Sequence, residues 1–491
     1  MENLKEKTIR GGVARLLAQM ANFSLRLGSL MILARLLAPK DFGLVGMVTA
    51  FTGVLTLFRD FGLSSAAIQR ADVTDKQLST LFWINVVVGL LLGLVTVAAA
   101  PAIAAFYHES RLLAVTAALA LGFLFNGAGV QHSVILQRQM RFTAIAVINT
   151  VGLLVGTAIG IGGARAGYGY WALVMMTITT PLISTAGFWL ATAWIPGLPR
   201  RQVGIRSMIR FGSIVTLNSL VSYIACNLDK VLLGRFWGVD ALGIYGRAYQ
   251  LINIPTDNLN SAAGEVAFSG LSRIQHDRER IKSYFLKGYS VLLALTLPIT
   301  VACALFADDV IFVVLGPKWG AAAAIFRFLA PTMLVFALVN PLFWLLCALG
   351  LVSRSLKIGL TLTPLMIGSY VVGLRYGPLG VAFAYSAVMI ICLLPIIAWS
   401  VHGTVISVRD LLLAAGRPFA SSILAGGFAL VVRLIYVQSL SPLPRLLLET
   451  SVLIVAFVGM LLFVTGQKAM YLDLFRGLKG PLPVKEKEGL A

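Results

Sequence analysis

Apolar runs of about 20 residues recur along the whole chain, and they restrict its fold more than any other feature. Only 12% of the 491 residues are charged, against about 25% in an average soluble domain. Because a segment that crosses a bilayer must satisfy its own backbone hydrogen bonds, each run is expected to be a helix. Segments such as VVVGLLLGLVTVAAA lack the alternation of a membrane β-barrel. The sequence therefore predicts an all-α integral membrane protein.

A hydropathy window of roughly 19 residues predicts about fourteen transmembrane helices. The predicted spans are 12–34, 42–58, 79–104, 112–130, 142–163, 169–193, 211–233, 242–267, 286–306, 321–347, 356–373, 378–400, 418–437 and 446–465. The first, seventh and eighth spans are the least apolar of the set.

Basic residues are divided unequally between the two sides of the predicted membrane. Of the 40 Lys and Arg residues, the predicted outer loops hold only Lys40, Arg111, Arg165, Arg235, Lys318, Arg375 and Arg445. Because basic loops resist translocation, this asymmetry predicts a multi-pass protein with both termini in the cytoplasm. The net charge of +20 would suggest nucleic acid in a soluble protein. Here most of the excess faces the anionic lipids of the inner leaflet, so no nucleic-acid partner is predicted.

Two distant stretches, ARLLAPKDFGLVG and GRFWGVDALGIYG, repeat one pattern in a constant register. The matched pairs are Arg35 with Arg235, Gly43 with Gly243, and Gly46 with Gly246. The repeat distance corresponds to six predicted helices, an even number, so the copies would be parallel, as in some secondary transporters. We therefore predict two parallel six-helix bundles around a central cationic cavity, over residues 1–198 and 199–400. Two additional helices and a basic cytoplasmic tail follow over 401–491.

The repeated residues themselves have a more limited interpretation. The glycines are expected to allow close helix packing. Arg35 and Arg235 lie near the predicted outer boundary, where a long side chain reaches water easily. A role for this set in gating is a hypothesis, and interfacial anchoring is the alternative for the arginines.

A polar stripe in the first predicted helix marks a candidate binding face. Its members share one side of the helix at 100° per residue, and they are Arg15, Gln19, Asn22 and Arg26. A charged residue at the centre of a membrane helix costs about 2.5–3.5 kcal/mol, so such residues usually face a cavity. Arg15 is interpreted as an anchor at the inner boundary, whereas Arg26 lies too deep to reach the interface fully.

Three further charged residues within apolar spans complete the predicted cavity: Asp229, Lys230 and Arg327. A cavity lined mainly by Arg and Lys suits a phosphate or diphosphate, whose charge guanidinium groups bind well. Asp229 and Glu265 are the candidates for binding a coupling H⁺ or Na⁺. No other cofactor and no metal site is predicted, because the four histidines show no ligand spacing.

Three stretches resemble a known family: LDKVLLGRFWGVDALGIYGRAYQL, LSRIQHDRERIKSYF and ILARLLAPKDFGLVG. They are similar to lipid-linked oligosaccharide flippases of the Wzx type, in the multidrug/oligosaccharidyl-lipid/polysaccharide exporter superfamily. The similarity is greatest to the subgroup associated with colanic-acid-like exopolysaccharides. It covers nearly the whole chain.

This resemblance implies a transporter and not an enzyme. Undecaprenyl-diphosphate-linked repeat units would pass from the cytoplasmic to the periplasmic leaflet of the bacterial inner membrane by alternating access. The route would serve exopolysaccharide or lipopolysaccharide biosynthesis, with a polysaccharide polymerase and glycosyltransferases as implied partners. Related peptidoglycan-precursor flippases engage the diphosphate through arginines of their first helix, and Arg26 best fits that position.

Two alternatives stay open at this stage. A drug/cation antiporter of the same superfamily needs a membrane-embedded carboxylate, whereas the charges within these spans are mostly basic. A glycosyltransferase or polymerase acting on polyprenyl-linked sugars would use paired acids such as Asp308 and Asp309. Their loop, FADDVIFVVLGPKW, is short for a sugar site, so a helix-end role is the stronger interpretation.

Overall fold

The computed structural model describes residues 23–59, 74–199, 206–274, 277–437, 440–464 and 466. Within these ranges every regular element is a helix. Eleven helices in the described part are long and apolar enough to cross a membrane. The predicted all-α membrane class is therefore confirmed, whereas the count of fourteen stays a prediction.

The described residues form fifteen α-helices in chain order. They are α1 (23–36), α2 (Pro39–Leu57), α3 (Asp75–Tyr107), α4 (Leu112–Arg138), α5 (Phe142–Arg165), α6 (Tyr170–Thr192), α7 and α8 (together Arg206–Arg273), α9 (Arg278–Leu305), α10 (Ala307–Val314), α11 (Gly320–Ala348), α12 (Val352–Leu374), α13 (Gly377–Val401), α14 (Val408–Val432) and α15 (Pro442–Gly459). One π-helical turn, Arg433–Val437, extends α14, and another, Met460–Val464, extends α15.

The boundary between α7 and α8 lies at Gly238, inside one long helical run. Its φ of 81° and ψ of −171° belong to a region that only glycine adopts readily. The seventh and eighth predicted spans fall on either side of this residue. Glycine here lets the chain turn between two helices without a separate loop.

Side-chain caps explain where several helices begin. Thr74 accepts a hydrogen bond from the backbone of Gln77 at the start of α3, and Ser407 does the same for Asp410 at the start of α14. In both cases the backbone N–H of the cap residue donates in return to a side-chain oxygen of the third helical residue. This reciprocal arrangement satisfies backbone N–H groups that have no partner within the helix.

The chain packs into two compact units. Unit 1 comprises the chain up to Tyr249 with Val314–Ile325 and Gly359–Val388, and unit 2 comprises Gln250–Val313, Phe326–Ile358 and the chain from Met389 onward. The predicted repeat boundaries at residues 198 and 400 stay a prediction.

Four long helices, α8, α11, α12 and α13, each have residues in both units. Each contains a proline shortly after the point where the chain changes unit: Pro255, Pro331, Pro364 and Pro395. A proline has no N–H for the carbonyl four residues earlier, so each helix lacks a backbone hydrogen bond close to that point.

Unit 2 buries a cluster of charges among α10, α14 and α15. Arg433 lies 3.2 Å from Asp309 and 3.5 Å from Glu449, and Arg445 lies 3.5 Å from Asp309. The side chain of Glu449 is completely buried. Burying such a carboxylate is costly unless an opposite charge compensates for the lost hydration, and Arg433 supplies that charge.

Candidate functional site

The described part of the predicted binding face on α1 contains Arg26, whereas Gln19 and Asn22 lie outside the described residues. The side chain of Arg26 is exposed. Its backbone carbonyl accepts a hydrogen bond of 2.9 Å from the Ser29 hydroxyl. Arg26 thus lies at the surface of unit 1 and is not enclosed in its core.

The two repeat-related arginines have different surroundings. The backbone carbonyl of Arg35, at the end of α1, accepts a hydrogen bond of 3.3 Å from the Lys318 ammonium. The guanidinium of Arg235 is hydrogen-bonded to the His108 ring and lies 5.5 Å from the centre of the Phe106 ring. The role of these two arginines in gating stays a prediction.

Trp319 adds a second contact at the end of α1. Its indole N–H donates a 2.8 Å hydrogen bond to the carbonyl of Ala34, and its side chain is fully buried. Its ring packs edge-on against Phe42 of α2, with 5.4 Å between ring centres. Together with Lys318, this residue satisfies carbonyl groups that otherwise lack partners at a helix end.

The first repeated glycine pair lies where α2 and α8 cross, in unit 1. Gly43 packs directly against the backbone carbonyl of Val239, and Gly243 packs against the backbone carbonyl of Pro39. Pro39 and Val239 are related by the same sequence offset as the glycines. The crossing is therefore reciprocal: each copy of the repeat presents its glycine to the equivalent carbonyl of the other.

The second glycine pair is less restricted. A methyl group on Gly46 would meet the Leu242 side chain at an ordinary contact distance of 3.6 Å. A methyl group on Gly246 would meet no atom within 4 Å. Close approach thus requires glycine at the crossing itself and not one helical turn further along.

Asp229 of α7 is the most deeply buried of the predicted site residues, with an exposed fraction of 1%. It accepts a 2.7 Å hydrogen bond from the Tyr245 hydroxyl and a 2.8 Å bond from the backbone N–H of Lys230. The Lys230 ammonium turns away, donates to the Asn227 carbonyl oxygen at 2.7 Å and lies 4.6 Å from the centre of the Tyr249 ring. The two neighbouring charges do not form an ion pair with each other.

Aromatic residues of α12 and α13 complete the surroundings of this carboxylate. Tyr370 and Tyr385 are both buried, with ring centres 5.5 Å apart, and the Tyr370 hydroxyl donates to the carbonyl of Ala225. A lone carboxylate with a phenol donor, enclosed by aromatic rings, is suited to holding a proton or a small cation.

Arg327 occupies a different environment in unit 2. Its guanidinium forms an ion pair of 2.5 Å with Asp308 and also donates to the carbonyl of Ala304. Because a carboxylate already neutralises it, Arg327 is a weaker candidate for an anion ligand than Arg26.

The sequence analysis missed a pocket of about 710 Å³ within unit 1. Its walls come mainly from one face of α4 and one face of α6, with Asn149 of α5 and Arg59 beyond the end of α2. The polar lining residues are Arg59, Asn126, Ser133, Gln137, Asn149, Thr177, Thr180, Ser184 and Thr185. Asn126, Ser133 and Gln137 are spaced so that they share one face of a helix, and this pattern in the sequence indicates a polar wall.

Comparison with known proteins identifies the family. The family described as "Polysaccharide biosynthesis protein" matches residues 32–324. This chain belongs to that family.

Curated relatives of this polysaccharide biosynthesis protein include the lipopolysaccharide biosynthesis protein WzxC of Escherichia coli K12. It is 27% identical over 396 residues, which are 79% of this chain and 80% of WzxC. The succinoglycan biosynthesis transport protein ExoT of Rhizobium meliloti is 24% identical over 334 residues, covering 66% of each chain. Relatives are thus named both for glycan biosynthesis and for transport.

Among solved structures, the lipid II flippase MurJ in an inward closed conformation has a similar fold. The TM-score is 0.73 at 15% identity, and the match covers 95% of this chain and 100% of MurJ. At this identity the likeness concerns the fold alone.

Proposed function

We propose that this protein transports a lipid-linked oligosaccharide, carried on undecaprenyl diphosphate, from the cytoplasmic to the periplasmic leaflet of the bacterial inner membrane by alternating access. The match to the polysaccharide biosynthesis family is the observation that carries the proposal. The similarity to WzxC, a lipopolysaccharide biosynthesis protein, and to ExoT, a succinoglycan biosynthesis transport protein, supports it. The protein acts between the glycosyltransferases that build the repeat unit and the polymerase that extends it.

The physical task is to move a diphosphate across hydrocarbon. An unpaired anion in a medium of low dielectric constant loses hydration energy of tens of kcal/mol in the Born limit. A guanidinium group compensates for much of this loss because its planar donors match two phosphate oxygens at once. We assign this task to Arg26, whose side chain is exposed in the first helix.

Substitution of Arg26 tests the proposal. Losing a hydrogen bond to a charged group costs about 1.5–3 kcal/mol, so Arg26→Ala is expected to slow transport by roughly 10- to 150-fold. Arg26→Lys keeps the charge but loses the paired geometry, and it is expected to retain part of the activity. The measurement is exopolysaccharide output in cells, followed by transfer of labelled lipid in proteoliposomes.

Arg375→Ala is the matched control, because this exposed arginine directly follows α12 and its substitution removes the same charge. Normal output from a well-expressed Arg26→Ala protein would remove Arg26 from the mechanism. Loss of output in both variants would indicate a general effect of charge on insertion.

We further propose that Asp229 binds the coupling H⁺ or Na⁺. Its burial and the Tyr245 hydroxyl support this role, because occupancy by a cation removes the cost of an uncompensated buried carboxylate. Asp229→Asn keeps the shape and removes the charge, so transport is expected to lose its dependence on an imposed pH or Na⁺ gradient. Unchanged gradient dependence in this variant would exclude Asp229 from coupling.

A further inference from the structure

The pocket between α4 and α6 has features that point to a ligand of its own. Its volume of about 710 Å³ lies within the range of roughly 300–1,000 Å³ that small-molecule sites occupy. Among the lining residues that the structure describes, Arg59 carries the single formal charge. The other polar groups are amides and hydroxyls, so the pocket offers many neutral hydrogen-bonding positions.

The α6 wall consists mainly of acceptors. Thr177 and Thr180 each use their one hydroxyl proton on the carbonyl four residues earlier in the helix, at 2.8 and 2.9 Å. The exposed Thr177 oxygen keeps lone pairs that can accept a hydrogen bond on the pocket side, whereas the Thr180 oxygen packs against Gly156 of α5. Pro181 also lines the pocket and has no N–H for the carbonyl of Thr177, which therefore lacks its helical donor.

The α4 wall offers both donors and acceptors. The Asn126 amide donates one hydrogen bond of 2.7 Å to the carbonyl of Gly122, and the Gln137 amide donates one of 3.3 Å to the Ser133 hydroxyl. Each amide has a second N–H and a carbonyl oxygen beyond these contacts. Arg59 adds strong donors at the edge of the same space.

A sugar ring matches this combination. Every sugar hydroxyl donates one hydrogen bond and accepts others, so it can donate to the Thr177 oxygen while accepting from the amides of the α4 wall. The C–H faces of a pyranose suit the apolar lining residues Met176 and Phe188. A bare lipid tail would leave the polar groups without partners.

We infer that this pocket binds a sugar ring of the transported headgroup and so selects the glycan. The inference rests on the proposed function and adds a second site to it: Arg26 acts on the diphosphate, and the α4–α6 pocket acts on the sugar. The two sites are separable by experiment because one ligand group can be removed without the other.

The test uses the full-length protein in lipid nanodiscs and two kinds of probe. One is undecaprenyl diphosphate without sugar, and the other is the same lipid bearing glucose, galactose or N-acetylglucosamine. The variants are Thr177→Val and Asn149→Leu, which remove polar atoms from exposed lining side chains at nearly constant volume. Thr150→Val is the control, because its hydroxyl makes the same bond within α5, to the carbonyl of Ala146, but does not line the pocket.

Wild-type protein is expected to bind at least one glycosylated lipid more tightly than the bare lipid. Each pocket variant is expected to weaken binding of that glycosylated lipid about fivefold, as for one lost hydrogen bond, and the double variant about 30-fold. Binding of the bare lipid is expected to stay unchanged in all variants, and Thr150→Val to match wild type. Thermal unfolding of each variant identifies any loss of fold. If one of the two single pocket variants fails to fold, the other single variant decides the result.

Equal wild-type affinity for bare and glycosylated lipids would overturn the pocket inference, and so would variants that weaken both equally or neither. The proposed function survives these outcomes as long as Arg26→Ala still weakens binding of the bare lipid. Wild-type protein that binds no diphosphate lipid would overturn both.

Discussion

The reciprocal crossing of α2 and α8 makes a quantitative prediction for Gly43→Ala. Within a helix, alanine normally gains about 0.5–1 kcal/mol over glycine because it restricts the unfolded chain. At Gly43 the new methyl group would overlap the backbone carbonyl of Val239, which cannot move as a side-chain tip can. Overpacking of this kind costs about 1–3 kcal/mol, and a backbone obstacle favours the upper part of that range. The expected net loss of unfolding free energy is about 1–2 kcal/mol.

Gly246→Ala provides the matched control from the same repeat. The added methyl group meets no atom within 4 Å, so this variant is expected to gain about 0.5–1 kcal/mol. Denaturant unfolding of the two variants in detergent, followed by circular dichroism, measures both changes. Opposite signs are the expected result. If Gly43→Ala is as stable as Gly246→Ala, the close approach of the two helices is not a feature of the folded protein.

Two further predictions concern charges. Arg433→Met removes the ion-pair partner of the buried Glu449 carboxylate and is expected to lower the unfolding free energy by about 3 kcal/mol. Arg327→Met breaks a largely exposed pair and is expected to change it by less than about 1 kcal/mol. Equal effects in a thermal denaturation assay would contradict this assignment. The hydrogen bond from Arg111 lowers the pKa of Glu109 in the loop between α3 and α4. A lowered carboxyl pKa stabilises the fold above the pKa of the unfolded chain, and this stabilisation is lost as the pH falls. The small difference in unfolding free energy between wild type and Glu109→Gln is therefore expected to be constant near neutral pH and to shrink as acid titrates Glu109. A difference that grows on acidification would refute the pairing.

Hydropathy predicted the helices well where the apolar run was uninterrupted. The predicted span 142–163 corresponds to α5 (Phe142–Arg165), and 169–193 corresponds to α6 (Tyr170–Thr192). The start of α3 at Asp75 was missed, since polar residues capped by Thr74 lower the hydropathy there. Helix ends depend on local hydrogen bonds, which an averaged window does not record.

The site was harder to predict, because contacts between helices depend on which helices are neighbours. The repeat pointed to Gly43 and Gly243, but only the structure shows that each faces a carbonyl of the other copy. Arg433 and Glu449 lie in two different predicted spans, and the sequence of neither span indicates that the two residues form an ion pair. The hydroxyls of α6 were likewise inconspicuous, since threonines within a helix commonly bond to their own backbone.

The prolines that follow the changes of unit in α8, α11, α12 and α13 have a mechanical consequence. Bending an ordinary helix stretches or breaks backbone hydrogen bonds in a medium that offers no water to replace them. At these four places one such bond is missing from the outset, so the helix bends more easily there than in a stretch without proline. Bending of these four helices during a transport cycle would therefore store little elastic energy. The populations of the conformations would then depend mainly on which ligand is bound.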